Sequence, residues 1–400
     1  MFYDDCETDK VTSWGKFLPD TYEKSCVGLD SEKEVKKEFQ EAGFEYERLY
    51  NYASEPILKE LKTVKKQLGA VFKTLEKNKV FQHGFAYRNV PMWPVTKKLF
   101  AFLFYERFLE TATRIELFNR MLDVEKPDMV ICVDDWSRYP FTLLSITKQR
   151  GIKSAVVRYG MLDLRPEGVP MNGDKIMVYG ETGKTALLNS GVSADKIEVT
   201  GQPEGKEENR VLETDKALAI LGLDKSKPII AFGGTCMPES ATYHPYDIFY
   251  NTIKKNYQNA QVVSKMHPSE NPTLQQVLVK KHGLNNIILT KKYLFELLTA
   301  SSVLVTPGST VANEAIAYGT PVIYINTLNA PEEILLKKNP GIVEVVYDEK
   351  QLESALKRIL EKNRRTEIKN MSNEISKSSI LQKGAVAGKA VVSVLKTMID

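Results

Sequence analysis

The stretch LVTPGSTVANEA, Leu304 to Ala315, decides how the chain is read. A short apolar run stops at Pro307-Gly308, two hydroxyl residues follow, and Val311, Ala315 and Tyr318 then recur at three- and four-residue intervals. That order is strand, tight joint, helix. If the strand is parallel to its neighbours, Pro307 to Thr310 lie at the carboxyl edge of the sheet, where open α/β sheets bind ligands. Ser309 or Thr310 can cap the helix, whose first N–H groups have no partner within it. Those donors suit an anion such as phosphate, and Gly308, lacking a Cβ, admits a ligand close to the backbone. Glu314 falls four residues past Thr310, about 6 Å further along a helix that rises 1.5 Å per residue. One end of a ligand can thus meet donors while its hydroxyls meet a carboxylate.

Outward from this joint the same rhythm repeats. MVICV (Met129 to Val133), SAVVRYG (Ser154 to Gly160), KIMVYG (Lys175 to Gly180) and KIEVTG (Lys196 to Gly201) are short apolar runs separated by helical stretches. A polar segment, Gln202 to Asp215, interrupts them. The rhythm then restarts with PIIAFGG (Pro228 to Gly234), AQVVSKMHP (Ala260 to Pro268), NIILT, SVLVTPG and TPVIYIN. Unalternating apolar runs divided by helices predict parallel sheets covered on both faces. The fold expected is α/β with two Rossmann-like domains, 1–205 and 206–384, the second of about five strands, followed by a terminal helix over 385–400. The first domain reads as atypical, because residues 1–43 offer no convincing buried strand. FEYERLY (Phe44 to Tyr50) and VFQHGFAY (Val80 to Tyr87) are its best early strand candidates.

Composition narrows the function. With 42% hydrophobic and 26% charged residues in 400, the chain is long and apolar enough for two globular cores. A formal charge of +4 gives no basic footprint for nucleic acid. Lys59 to Lys79 holds seven lysines and two glutamates, which reads first as a solvated helix face and second as attraction to an anionic membrane. The aromatic-rich helix Leu99 to Leu122, beside Lys97-Lys98, carries the same pair of readings, core helix or shallow membrane face. Four scattered cysteines with no CxxC pair argue against a structural zinc. No signal peptide or membrane-spanning run is legible, so the expected location is cytoplasmic, with peripheral contact on the inner membrane face left open.

Two more loops fall on the edge named by the opening stretch. Lys265 and His267 stand where the strand VVS ends, and an imidazole can donate to a phosphoryl oxygen. Gly233, Gly234 and Thr235 follow PIIAF and can admit a phosphate or a sugar. Neither a GxxxxGK[ST] loop nor a GxGxxG fingerprint is present, and ETGKT (Glu181 to Thr185) reads as a helix start. Three loops on one edge ask for a nucleotide mono- or diphosphate as leaving group.

At these residues the sequence resembles the GT-B superfamily of nucleotide-sugar enzymes. It is most similar to surface or capsular polysaccharide glycosyltransferases of the cell envelope and the UDP-N-acetylglucosamine 2-epimerase group. The resemblance rests on KPDMVICVDD, GDKIMVYGETGKTALLNSGVSADKIEVTGQP, SKMHPSENP and LVTPGSTVANEAIAYGTPVIYI. It implies two domains facing a cleft, with the donor nucleotide held by the second. It further implies His267 on the donor phosphate, Ser309 and Thr310 on phosphate oxygens, Glu314 on the ribose, no bound metal or cofactor, and a last helix crossing back to the first domain. The donor implied is UDP- or CMP-linked, and the acceptor a surface polysaccharide or other glycan, or a glycolipid or other lipid-linked acceptor; oligomeric state is not legible. The epimerases' His-x-Glu-Ala-Gly element is missing, since VVRYGMLDLRPEG stands there, which favours a transferase over an epimerase. The same motifs are also compatible with a CDP-alcohol phosphotransferase and with a non-catalytic binding protein of this fold. An inverting transferase needs a base near the acceptor hydroxyl. Asp134 or Asp135, directly after MVICV, is the best-placed carboxylate, and only one of these neighbours is expected to face the cleft. Arg158 and Arg165 are candidates for an anionic substrate group or for an ordinary salt link.

Overall fold

The computed structural model describes residues 2–3, 8–29, 33–135, 137–158, 171–203, 214–235, 239–267, 270–284, 287–309, 311–327, 342–361 and 384–399. Two parallel sheets with flanking helices form two lobes on either side of a cleft. The Gln202–Asp215 boundary segment, Thr310, Arg165 and the residues after Arg158 in VVRYG lie wholly or largely outside the described residues.

The first lobe opens with β1 (Phe2–Tyr3), α1 (Thr8–Gly15), β2 (Ser25–Gly28), α2 (Lys33–Glu41) and β3 (Glu45–Arg48). A helical excursion follows: α3 (Glu55–Lys77), α4 (Lys79–His83), a hairpin of β4 (Ala86–Tyr87) and β5 (Val90–Pro91), α5 (Trp93–Phe102) and α6 (Phe108–Glu125). The chain then lays down β6 (Met129–Cys132), α7 (Arg138–Arg150), β7 (Lys153–Val157), β8 (Lys175–Val178), α8 (Glu181–Asn189) and β9 (Ile197–Val199). The strand order is β3-β2-β1-β6-β7-β8-β9, and every described pairing is parallel. The order therefore reverses between β1 and β6.

The second lobe runs α9 (Thr214–Leu221), β10 (Ile229–Gly233), α10 (Glu239–Asn256), β11 (Gln261–Lys265), α11 (Pro272–Lys281), β12 (Ile287–Thr290) and α12 (Leu294–Ala300). It continues with β13 (Val303–Thr306), α13 (Val311–Ala317), β14 (Val322–Ile325), β15 (Val343–Val346) and α14 (Glu349–Leu360). Its order, β12-β11-β10-β13-β14-β15, reverses between β10 and β13. β6, β10, β13 and β14 are buried at every position, as strands covered on both faces must be. α15 (Gly384–Ile399) returns to the first lobe, where Val391, Val392 and Leu395 share a core with Val11, Trp14 and Leu18. At Gly388 a Cβ would stand 2.7 Å from the Phe17 ring, so a glycine sets how closely this helix approaches α1.

Three expectations are corrected. Residues 1–43 do contain strands. β1 is central, with Phe2 opposite Cys26 on one side and Ile131 on the other, but two residues are too few to show a pattern. VFQHGFAY is mostly helical and turn, and only Ala86–Tyr87 at its end forms a strand, in the β4–β5 hairpin rather than in the main sheet. The Asn78 side chain accepts the Phe81 N–H and caps α4, and Phe81 packs edge-to-face with Phe85 just past the end of that helix. The second sheet has six strands rather than about five, because β15 lies at its edge.

Candidate functional site

The adjacent strands β11, β10 and β13 carry the loops singled out from the sequence. Gly233 sits opposite Lys265, and Phe232 opposite Val305, so the three strands end level with one another. The loops surround the place where strand order reverses, which opens a crevice because the following helices leave on opposite faces.

The glycines hold this crevice open. A Cβ at Gly233 would stand 2.7 Å from Val311 Cγ1, at the head of α13. One at Gly234 would lie 2.1 Å from Glu270 Oε2 and 3.1 Å from the His267 nitrogen. Gly308 adopts φ +122, and a Cβ there would meet the Tyr324 ring at 3.0 Å. Cross-links lock the strand ends: Thr306 Oγ1 donates to the Gly233 carbonyl at 2.9 Å, and the Gly234 N–H donates to the Lys265 carbonyl at 2.8 Å.

Beneath the glycine pair lies a polar network. Glu270 Oε2 accepts the His267 N–H at 3.0 Å, and Oε1 accepts from the Gln275 amide at 2.8 Å. The Tyr246 hydroxyl also hydrogen-bonds Glu270 and accepts the Thr235 N–H at 3.0 Å. Burial, with the Glu270 charge beside it, holds the Tyr246 phenol well above its usual range. Tyr250 donates to Gln275 Oε1 at 2.7 Å and completes the set. The Thr235 N–H is thus fixed by Tyr246 of α10, and the His267 N–H by Glu270, which Gln275 of α11 holds in turn.

Lys265 is half-buried. Burial pushes its ammonium below the ordinary lysine range, against the pull of Glu314 and Glu270 and with the push of Lys291. Gly233 lies opposite Lys265 and close against Val311, so the end of β11 and the head of α13 flank the same strand end. Ser309 opens α13: its carbonyl accepts the Ala312 N–H at 3.0 Å, and its Oγ lies 3.5 Å from the Val311 nitrogen. α13 has only seven residues, so its helix field is small.

On the first lobe, the ends of β6 and β7 carry Asp134, Asp135 and Arg158. Asp134 accepts the Ser137 N–H at 2.9 Å and the Ser137 hydroxyl at 2.6 Å, fixing the residue that opens α7. Asp135 is fully buried and accepts from Arg158 Nη1 at 3.2 Å, with the guanidinium buried as well. Both carboxylates and the arginine stand at the carboxyl edge of their sheet. Among the described residues no group of three His, Cys, Asp or Glu could hold a metal ion.

Comparisons with known proteins bear on the architecture. Residues 270–378 match the family model described as glycosyl transferases group 1. A processive diacylglycerol beta-glucosyltransferase of Staphylococcus epidermidis is 24% identical over 217 residues, covering 53% of each chain. The chain thus spans about half the length of the curated relatives it matches. The structure of UDP-GlcNAc 2-epimerase from Neisseria meningitidis bound to UDP-GlcNAc superposes with a TM-score of 0.63 at 15% identity, covering 99% of this chain and 98% of that one. A glycosyltransferase from Rickettsia africae gives 0.59 at 11% identity, covering 100% and 98%. This is a GT-B fold. Within the GT-B frame, the three loops belong to the C-terminal lobe, and Asp134, Asp135 and Arg158 to the N-terminal lobe.

Sequence reasoning did not single out Glu270, Gln275 or Tyr246. The available signal was a carboxylate three residues after His267, just ahead of the helix start Asn271-Pro272. It reads as a solvated first-turn residue until the fold brings α10 against it.

Proposed function

We propose that the protein is a glycosyltransferase that moves a sugar from a UDP-linked donor to a glycan or lipid-linked acceptor. The observation that carries this reading is the convergence of the β10, β11 and β13 loops at the reversal of strand order, with Gly233 opposite Lys265 and against the head of α13. The uridine assignment is supported by the UDP-GlcNAc in the N. meningitidis structure. In this reading the backbone near Gly233, Gly234 and Gly308, with Ser309, Thr310 and His267, receives the diphosphate, and Glu314 receives ribose hydroxyls. Preorganised donors of this kind stabilise charge as it develops on the leaving phosphate. The acceptor oxygen bonds to the sugar's anomeric carbon as the bond to phosphate breaks, and UDP leaves with the electron pair. The acceptor proton passes to Asp134, the more exposed of the two aspartates, while the Asp135–Arg158 pair braces the strand ends. In the sequence, VVRYGMLDLRPEG lacks the epimerases' His-x-Glu-Ala-Gly element, which lowers the epimerase reading, and Arg158-Tyr159-Gly160 also replace the Gln-His-Gly of related transferases, which leaves the transferase substrate class open.

Calorimetry with UDP, CMP, CDP and GDP tests the donor site. UDP binds, and Glu314→Ala weakens it about ten- to a hundredfold, the worth of a hydrogen bond to a charged group. Failure of every nucleotide to bind removes the donor site. With a donor in hand, Asp134→Asn lowers turnover by at least about a hundredfold; undiminished turnover removes the base.

A further inference from the structure

The excursion between β3 and β6 has a geometry the donor reading does not use. α6 ends three residues before β6, so it runs antiparallel to the strands and its amino end points past their carboxyl edge. Arg114 and Phe118 lie against Tyr139, in the first turn of α7, which fixes the level of that edge on α6. Everything from about Phe108 back to Leu61 therefore projects beyond it. α3 and the α5–α6 segment pack as an antiparallel pair, with Phe72 against Phe104 and Tyr105, and Glu76 paired with Lys97 near the far end. From the level of Glu60 to Lys77 the arm is about 25 Å long at 1.5 Å per residue.

Its tip is built, not loose. Phe81, Phe85, Trp93 and Phe100 form a ring cluster with centroids 4.8 to 5.8 Å apart. Arg88 and Asn89, both at positive φ, form the tight turn of the β4–β5 hairpin. Around this support Val80, Tyr87, Val90, Val95 and Leu99 are each more than half exposed. From Lys77 to Tyr105 the sequence holds five lysines or arginines and no aspartate or glutamate. Such a tip repels a second copy of itself and complements a negatively charged, apolar-cored surface. Among the described residues no helix is long and apolar enough to cross a membrane.

We propose that the tip of this arm docks the protein on an anionic lipid bilayer, with the hairpin and the exposed side of α5 seated among the headgroups. The proposal goes beyond the donor reading and stands without it. It also gives that reading a geometry, since the arm leaves the first lobe on the edge that carries Asp134.

The test is co-sedimentation of the full chain with vesicles of phosphatidylcholine containing phosphatidylglycerol, beside vesicles of phosphatidylcholine alone. Two paired variants, Arg88→Gln with Lys98→Gln and Val95→Ser with Leu99→Ser, change exposed side chains only. The wild type sediments with the anionic vesicles and is released by salt, and the loss of two charges lowers partitioning by about 25-fold, at roughly fivefold per basic residue. The serine pair lowers it by at least about tenfold. UDP binding is unchanged in both, so vesicle binding and donor binding fail or succeed separately. Equal partitioning of wild type and variants, or equal binding to neutral vesicles, overturns the proposal. So does a concentration-dependent dimer lost in the serine pair without vesicle binding, which would make the tip a protein interface.

Discussion

Replacing Gly234 by alanine tests how the donor loops are held. Its φ lies outside the left-handed region, so alanine can adopt the backbone; the obstacle is space. The new Cβ would stand 2.1 Å from Glu270 Oε2, an impossible approach, and Glu270 is the group that must move. Moving it breaks the bonds from the His267 N–H and the Gln275 amide. Hydrogen bonds to a charged group contribute about 1.5–3 kcal/mol each, so the variant loses about 3 kcal/mol when relaxation recovers part of the contacts. For a lobe of this size that is a fall of roughly 6–12 °C in melting temperature. Glu270→Ala removes the worst contact and leaves the tight approaches to the His267 nitrogen at 3.1 Å and the Gln275 amide at 3.2 Å, so in that background Gly234→Ala costs about 1 kcal/mol, a coupling of about 2 kcal/mol. Calorimetric melting of the four proteins in the cycle measures it. A cost for Gly234→Ala that is the same with and without Glu270 would refute the packing argument.

Lys265→Met separates stability from function: because burial disfavours the charged ammonium, the variant melts no lower than wild type at neutral pH while UDP binding weakens. A lower melting temperature with unchanged binding would mark Lys265 as structural. Asp247, beside Tyr246 on α10, tests linkage. Burial opposes its ionisation, but Lys281 at 2.8 Å and His282 at 2.7 Å hold its carboxyl below the usual range. A depressed folded value means that its contribution is complete above the unfolded carboxylate pKa near 4 and is lost as pH falls through the folded value. Asp247→Asn therefore destabilises at pH 7 and converges with wild type in strong acid; parallel stability curves would contradict the pairing.

Legibility of the fold followed local pattern. IIAFG, VLVT and VIYI announce themselves because both faces of each strand are buried and no polar residue interrupts them. VEVV in β15 does not, since its half-buried Glu344 faces Arg358 of α14 at the edge of the sheet. β1 was beyond local reading for another reason: the core beside it is completed by Val391, Val392 and Leu395, nearly the whole chain away. Within the site, glycines and hydroxyls at strand ends were readable because their positions follow from strand termination alone. Glu270 was not, because its burial is created by Tyr246 and Gln275, which no local pattern places beside it. The Asp134-Asp135 pair shows the intermediate case. The sequence offered two equivalent carboxylates, and only the fold hands one to Ser137 and the other to Arg158.

The helix Gly384–Ile399 has a temporal implication. Its apolar side packs with Val11 and Trp14 of α1, so the core of the first lobe is completed by residues that follow the whole second lobe in the chain. A chain emerging in order leaves that flank uncovered until Val391, Val392 and Leu395 are available, and transiently exposed apolar surface of this kind is what makes partly folded domains prone to association.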